Sequence, residues 1–205
     1  YMSTLKEIFS LGINFFLIQI TALLLFQTNN IIIAHVCGIE EVTEYNLSYK
    51  YMNIVYMLFL AYLNPFWSYF TNAYARNDLH VIKNKILIIN KVWLGAAAIG
   101  IFQVIASTLF FRLWVKNTIL PNYILLILLL FYFLLTMRYT IYRTLMNGVG
   151  KIKLQFFVTV IEALLHIPLA ILLGKKFGIY GVVGVMIIWS LINNIWEPIQ
   201  YVKII

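Results

Sequence analysis

Formal charge is absent from long stretches of this chain, and that absence restricts its possible folds more than any motif does. Residues 8–39, 51–75, 92–111, 118–137 and 178–196 contain no Asp, Glu, Lys or Arg, and 154–174 contains one, Glu162. A hydrocarbon layer about 30 Å thick needs about 20 residues of α-helix to cross it. Lipid offers nothing to unpaired backbone N–H and C=O groups, so each run must close its own hydrogen bonds. Strands of a membrane barrel are about ten residues long and alternate in polarity, whereas these runs are longer and rich in Leu and Ile. The sequence therefore predicts an all-α membrane protein with six transmembrane helices, over about 8–36, 47–74, 88–111, 119–145, 154–174 and 178–202. All six fall in one domain spanning 1–205.

Only 11% of the residues are charged, against about 25% in soluble domains, which leaves no room for a water-soluble second domain. The net charge of +8 sits in the connectors between runs, so it reads as membrane topology and not as a nucleic-acid surface. With the N-terminus cytoplasmic, ten of the 15 Lys and Arg residues face inward: Lys6, Arg76, Lys83, Lys85, Lys91, Arg138, Arg143, Lys151, Lys153 and Lys203. The positive-inside tendency thus places both ends of the segment in the cytoplasm, with Glu40, Glu41 and Glu44 in an outer loop. The single Cys37 beside His35 makes neither a disulfide nor a metal site. A chain that opens on Tyr1 and stops at Ile205 is expected to be a piece of something longer.

Polar residues recur at helical spacing on the apolar runs. Ser10, Asn14, Thr21 and Thr28 fall near one line of the first helix. Asn53, Asn64, Ser68 and Thr71 do so on the second, where Pro65 predicts a kink. The fourth aligns Tyr132, Thr136, Tyr139 and Arg143, the fifth Gln155, Thr159, Glu162 and His166, and the sixth Ser190, Asn194, Glu197 and Tyr201. Each stripe alone is explained by interhelical hydrogen bonds worth about 0.6 kcal/mol. Together they predict a shared polar cavity, with Asn14, Asn53, Asn64, Thr136, Tyr139, Thr159, Asn194 and Glu197 as its lining. An ionised carboxylate at a helix centre costs at least about 2.5–3.5 kcal/mol. Glu162, with His166 one turn on to share its proton, is therefore the candidate ion-coupling pair. Arg138 and Arg143 carry forks suited to phosphate near the cytoplasmic interface.

No catalytic constellation or cofactor fingerprint stands out. Gly148-Val149-Gly150-Lys151 lacks the first glycine and the Ser or Thr of a phosphate loop, and neither an enzyme, a cofactor nor a metal is expected.

Five segments resemble a known family: FQTNNIII at 26–33, YNLSYKY at 45–51, NPFWSYFTNAYARND at 64–78, MNGVGKIKLQ at 146–155 and IEALLHIPLAILLGKKFGIYGVVGV at 161–185. In that order and spacing they are similar to helices seven, eight, eleven and twelve of the lipid-linked polysaccharide (O-antigen type) flippases. That family belongs to the multidrug/oligosaccharidyl-lipid/polysaccharide exporter superfamily. The resemblance implies one lobe of a two-lobe, MATE-like transporter in the bacterial inner membrane, with the N-terminal six-helix half as its partner. It further implies that undecaprenyl-pyrophosphate-linked oligosaccharide crosses in exchange for a proton or sodium ion. Family members line a cationic cavity, whereas this core offers Glu162 and His166; and Asn29 stands where the seventh helix often carries an acid. A multidrug antiporter of the same superfamily, or a membrane-embedded glycosyl or acyl transferase using His35, Glu40, Glu41 and Glu44, are the competing expectations.

Overall fold

The computed structural model describes residues 12, 13, 16, 20, 27–114 and 120–205, and there the chain is helical without a strand. The helices are α1 (27–36), α2 (Ile39–Leu63), α3 (Phe66–Ala75), α4 (Leu79–Trp114), α5 (Tyr123–Gly148), α6 (Lys153–Phe177) and α7 (Ile179–Ile204). Four of them, α4 to α7, are long and apolar enough to cross a membrane.

The expected second helix, 47–74, is corrected at its start. It begins earlier, because Gly38 takes φ 106° and ends α1, and Glu40 and Glu41 then sit in the first turn of α2. There the unpaired N–H groups and the helix dipole favour negative side chains, so the acidic segment is helix and not loop. At Pro65 it kinks as expected: the missing N–H interrupts the hydrogen-bond ladder between α2 and α3, while Asn64 and Pro65 keep helical dihedrals. Tyrosines and asparagines dilute α2 further, and it is not among the four spanning candidates. The third helix is also longer than expected, 36 residues or about 54 Å, because Lys83, Lys85 and Lys91 fall within its length. In α6, by contrast, Pro168 is accommodated without a break.

α5 is the hub. It packs against α2, α3, α4 and α7, while α6 packs chiefly on α7. Its Leu125, Leu126, Leu129, Ile141 and Leu145 are fully buried. Asn122 caps its start by accepting from the N–H of Leu125 at 3.1 Å. Tyr51 and Gln103 exchange reciprocal bonds to each other's backbone carbonyls, both 2.7 Å, joining α2 to α4. Trp93 donates to the Leu134 carbonyl at 2.9 Å, joining α4 to α5. Thr108 and Tyr123 also bond across the α4–α5 end.

On α6 the usual polarity is reversed. Its buried residues include Gln155, Thr159 and His166, while Leu154, Phe157, Ile161, Leu164, Leu165 and Leu172 are exposed. Water would penalise that arrangement and lipid rewards it.

The connectors gather at two ends. Thr71 donates to the Gly148 carbonyl at 2.7 Å and Gln200 to that of Lys151 at 3.0 Å, so α3, the α5–α6 connector and the end of α7 lie together. Asn122 donates to the Tyr180 hydroxyl at 2.7 Å at the opposite end, where Gly178, at φ 63°, turns α6 into α7.

Close approach at that turn depends on Gly181, where an added Cβ would run into the carbonyl of Leu173, while Gly184 faces open space. Gly181→Ala should lower stability by about 1–3 kcal/mol through overpacking, although alanine favours helix by about 1 kcal/mol. Gly184→Ala should be neutral or stabilising. Thermal unfolding of both variants in detergent micelles, followed by circular dichroism, distinguishes the two positions.

Candidate functional site

Three of the polar stripes converge. On α5, Thr136 and Tyr139 are buried, and on α7 Ser190, Asn193 and Glu197 are buried with them. The hydroxyls of Thr136 and Ser190 lie 3.4 Å apart. At the centre Arg143 Nη2 lies 2.6 Å from Glu197 Oε1. Its Nε donates to the same oxygen at 2.8 Å. The guanidinium also stacks on Tyr139, 4.6 Å from the ring centre. Glu197 is fully buried, and its Oε2 has no hydrogen-bond partner.

From α6, Glu162 faces the same group. Arg143 and Glu197 both act on it electrostatically, and Asn193 of α7 lies close by. Asn193 Oδ1 in turn accepts from the Trp196 indole at 2.9 Å. One carboxylate, Glu197, pairs with the guanidinium, and a second, Glu162, stands in its field from another helix.

His166 belongs to a different group. Its Nε2 lies 2.6 Å from Asn29 Oδ1 on α1, and Asn29 also hydrogen-bonds Tyr45, whose hydroxyl reaches Met186 Sδ at 3.6 Å. The expected proton-sharing between Glu162 and His166 is therefore replaced by two centres one helical turn apart, one tied to α5 and α7 and the other to α1 and α2. Half-buried tyrosines stand nearby, Tyr49 and Tyr56 on α2 and Tyr132 on α5, and Phe133 packs within 5.0–5.5 Å of all three rings.

The other sequence candidates separate. Thr159 is buried on the α6 stripe. Asn194 spends its amide on the backbone carbonyls of Leu135 and Ser190, each at 2.8 Å, and acts as an interhelical tie. Asn53 is half-buried, while Asn64 is exposed at the α2–α3 kink. Asn14, with Ser10 and Thr21, lies outside the described residues. Arg138 is exposed and stacks over Trp93 at 5.4 Å, on the α4 side and away from Arg143. The reading of a core without a central Arg is corrected: Arg143 is the core cation, held by Glu197. Sequence reasoning also passed over Asn193 and Tyr45, Tyr49 and Tyr56. The three tyrosines were signalled by their spacing of four and seven on α2.

At the opposite end a cavity of about 300 Å³ is lined by Cys37, Glu41, Asn122, Lys175 and Tyr180 among others. Burial, then Glu44 and Glu40 beside it, raises the Glu41 carboxyl above its ordinary range. Burial and, secondarily, Glu41 raise the Cys37 thiol. His35 and Glu40 are exposed.

Compared with protein-family models, curated proteins and solved structures, the chain matches none.

Breaking a buried ion pair from one side leaves an uncompensated charge, at a cost of about 3–5 kcal/mol, whereas replacing both partners with apolar residues is close to neutral. Arg143→Met should therefore destabilise strongly, and adding Glu197→Leu should restore most of the loss. A double-mutant cycle by unfolding in micelles measures this, and a harmless single change would contradict the pairing. At the other end, Glu41→Gln removes the charge that helps to raise Cys37, so maleimide labelling at neutral pH should speed up. It should stay slower than for a free thiol, because burial is the larger cause.

Proposed function

We propose that this chain is the C-terminal six-helix lobe of an ion-coupled, MATE-like flippase. In this reading it carries undecaprenyl-pyrophosphate-linked oligosaccharide across the bacterial inner membrane, with both ends of the segment cytoplasmic. The observation that carries the proposal is the Arg143–Glu197 pair, its carboxylate fully buried, with the half-buried Glu162 near it, in helices apolar enough to span a bilayer. Charge at such a place is expensive and marks substrate or ion pathways.

With one more carboxylate than guanidinium, the group has an excess negative charge that a proton or a sodium ion can neutralise. Doing so changes which carboxylate holds Arg143, and with it the tie between α5, α6 and α7. That is a bistable element of the sort alternating access requires. The Tyr, Asn and Thr side chains facing the α2–α5–α7 interior supply hydrogen-bonding and ring surfaces suited to sugars. Arg138, free of a carboxylate among the described residues, is the remaining predicted pyrophosphate-attracting cation.

The excess carboxylate also favours a second reading, an ion-coupled multidrug antiporter, whose cationic substrates would seek a negative centre.

Proteoliposomes holding both lobes, loaded with a labelled lipid-linked oligosaccharide and given an imposed proton or sodium gradient, test the proposal. Gradient-driven movement should fall by an order of magnitude or more in Glu162→Gln, which keeps shape and abolishes titration, with folding intact. Transport of an organic cation in place of the lipid would select the antiporter. Equal, equally gradient-dependent flipping by Glu162→Gln would remove the coupling role.

A further inference from the structure

The α3–α4 elbow lies apart from the buried charge centre. The bond from Thr71 to the Gly148 carbonyl docks α3 on the last turn of α5, which puts the elbow at the end of the bundle and not at its middle. The chain then reverses through Arg76, Asn77 and Asp78. Asn77 takes φ 57°, a left-handed conformation that asparagine tolerates. The Asp78 N–H donates to the Ala73 carbonyl at 3.0 Å. Between the two helices this leaves a cavity of about 340 Å³ lined by Tyr69, Asn72, Ala73, Arg76, Asp78 and Val81. Lys85 on α4 stands over its aromatic wall, 5.3 Å from the Tyr69 ring centre and 5.5 Å from that of Phe66.

The charges are unspent: among the described residues Arg76 forms no ion pair with Asp78. Two cations and one carboxylate give the elbow a net charge of one plus. A guanidinium fork and an ammonium suit a phosphodiester. A carboxylate and an amide oxygen close by accept hydrogen bonds from hydroxyl groups, and the Tyr69 ring offers a face to the carbons that carry them. The two helices that form the elbow also expose Trp67, Leu87 and Ile88, apolar side chains of the sort that face acyl chains, and the tryptophan is of the type that marks a membrane interface.

We propose that this elbow binds the headgroup of an anionic phospholipid in which one phosphodiester is joined to a polyol, as in phosphatidylglycerol. Arg76 and Lys85 take the phosphate, and Asp78 and Asn72 take the hydroxyls. A zwitterionic headgroup would bring an ammonium to Asp78 and leave the extra positive charge uncompensated. A deacylated phosphate ester would forgo the burial of acyl chains along the apolar outer faces of the helices. The site depends only on the helices standing in a bilayer and not on what the protein transports.

Native mass spectrometry of the detergent-solubilised chain, offered equimolar phosphatidylglycerol, phosphatidylethanolamine, phosphatidylmethanol and glycerophosphoglycerol, tests it. Phosphatidylglycerol should be retained preferentially, and its occupancy should fall roughly tenfold or more in Arg76→Gln/Lys85→Gln, with helicity unchanged by circular dichroism. Asp78→Leu should keep anionic lipid bound while erasing the preference for phosphatidylglycerol over phosphatidylmethanol, which lacks the hydroxyls. Undiminished retention by the double variant, equal retention of phosphatidylethanolamine by the wild type, or equal binding of glycerophosphoglycerol would each overturn the proposal. If the double variant loses helicity, Arg76→Gln alone, altered at an exposed side chain, is read by the same criterion.

Discussion

A guanidinium and a carboxylate 2.6 Å apart, closed between α5 and α7 in helices otherwise dominated by Leu, Ile and Phe, set the conditions for the rest of this bundle. Taking both ions out of water costs several kcal/mol each, and their attraction offsets this only if the remaining lone pairs and protons are satisfied. Here they are not fully satisfied. Arg143 gives two bonds to one oxygen of Glu197, the other oxygen is unpartnered, and Glu162 brings a second carboxylate to the same neighbourhood. An apolar trio would hold three helices together as well, so stability alone gives no reason for this arrangement. What sets it apart from an apolar trio is its excess acceptor capacity.

The surrounding architecture follows from where polar groups can be tolerated. α5 is buried on most sides, so its contribution to the centre is one stripe, Tyr132 to Arg143, beside a column of leucines. α2 and α4 hold it through bonds to backbone carbonyls, such as Tyr51 with Gln103 and Trp93 with Leu134. Such ties are modest, about 0.6 kcal/mol each in lipid, yet they fix rotation about the helix axis. That rotation is what aims Arg143 at Glu197.

Much of this was legible in the sequence because lipid makes charge and polarity scarce. Runs without charge mark helices, and a polar residue every three or four positions marks the face turned from lipid. The alignment of Gln155, Thr159, Glu162 and His166 therefore located the buried face of α6 before any coordinates. The partners on that face were not legible. Glu162 and His166 are neighbours in sequence, and proximity suggested a pair, but each is claimed by a different helix. Arg143 looked interfacial because it lies near the end of α5, whereas α7 extends alongside it and supplies Glu197. The start of α2 was missed because Glu40, Glu41 and Glu44 read as solvent loop, whereas Glu40 and Glu41 sit in its first turn and Glu44 in its second. The bend at Pro65 was legible from its missing N–H alone, because Asn64 and Pro65 keep helical dihedrals across it.

α6 differs in kind from the other long helices. Its apolar residues face outward, and it meets the bundle mainly along α7, through glycine contacts at one end and polar side chains over the rest. Gly174 packs under Val182 and Val36, Glu162 lies close to Asn193, and His166 is held by Asn29. A helix secured by buried leucines is displaced only by losing apolar contacts, whose free energy barely responds to ions. A helix secured by two polar centres is different, because each centre joins it to a separate part of the fold: Glu162 to α5 and α7, His166 to α1 and α2. Changing the charge at one centre weakens that attachment and leaves the other as a pivot. Any response of this helix to charge therefore lies in how α6 is attached, and two attachments one turn apart are the minimum that distinguishes a tilt from a release.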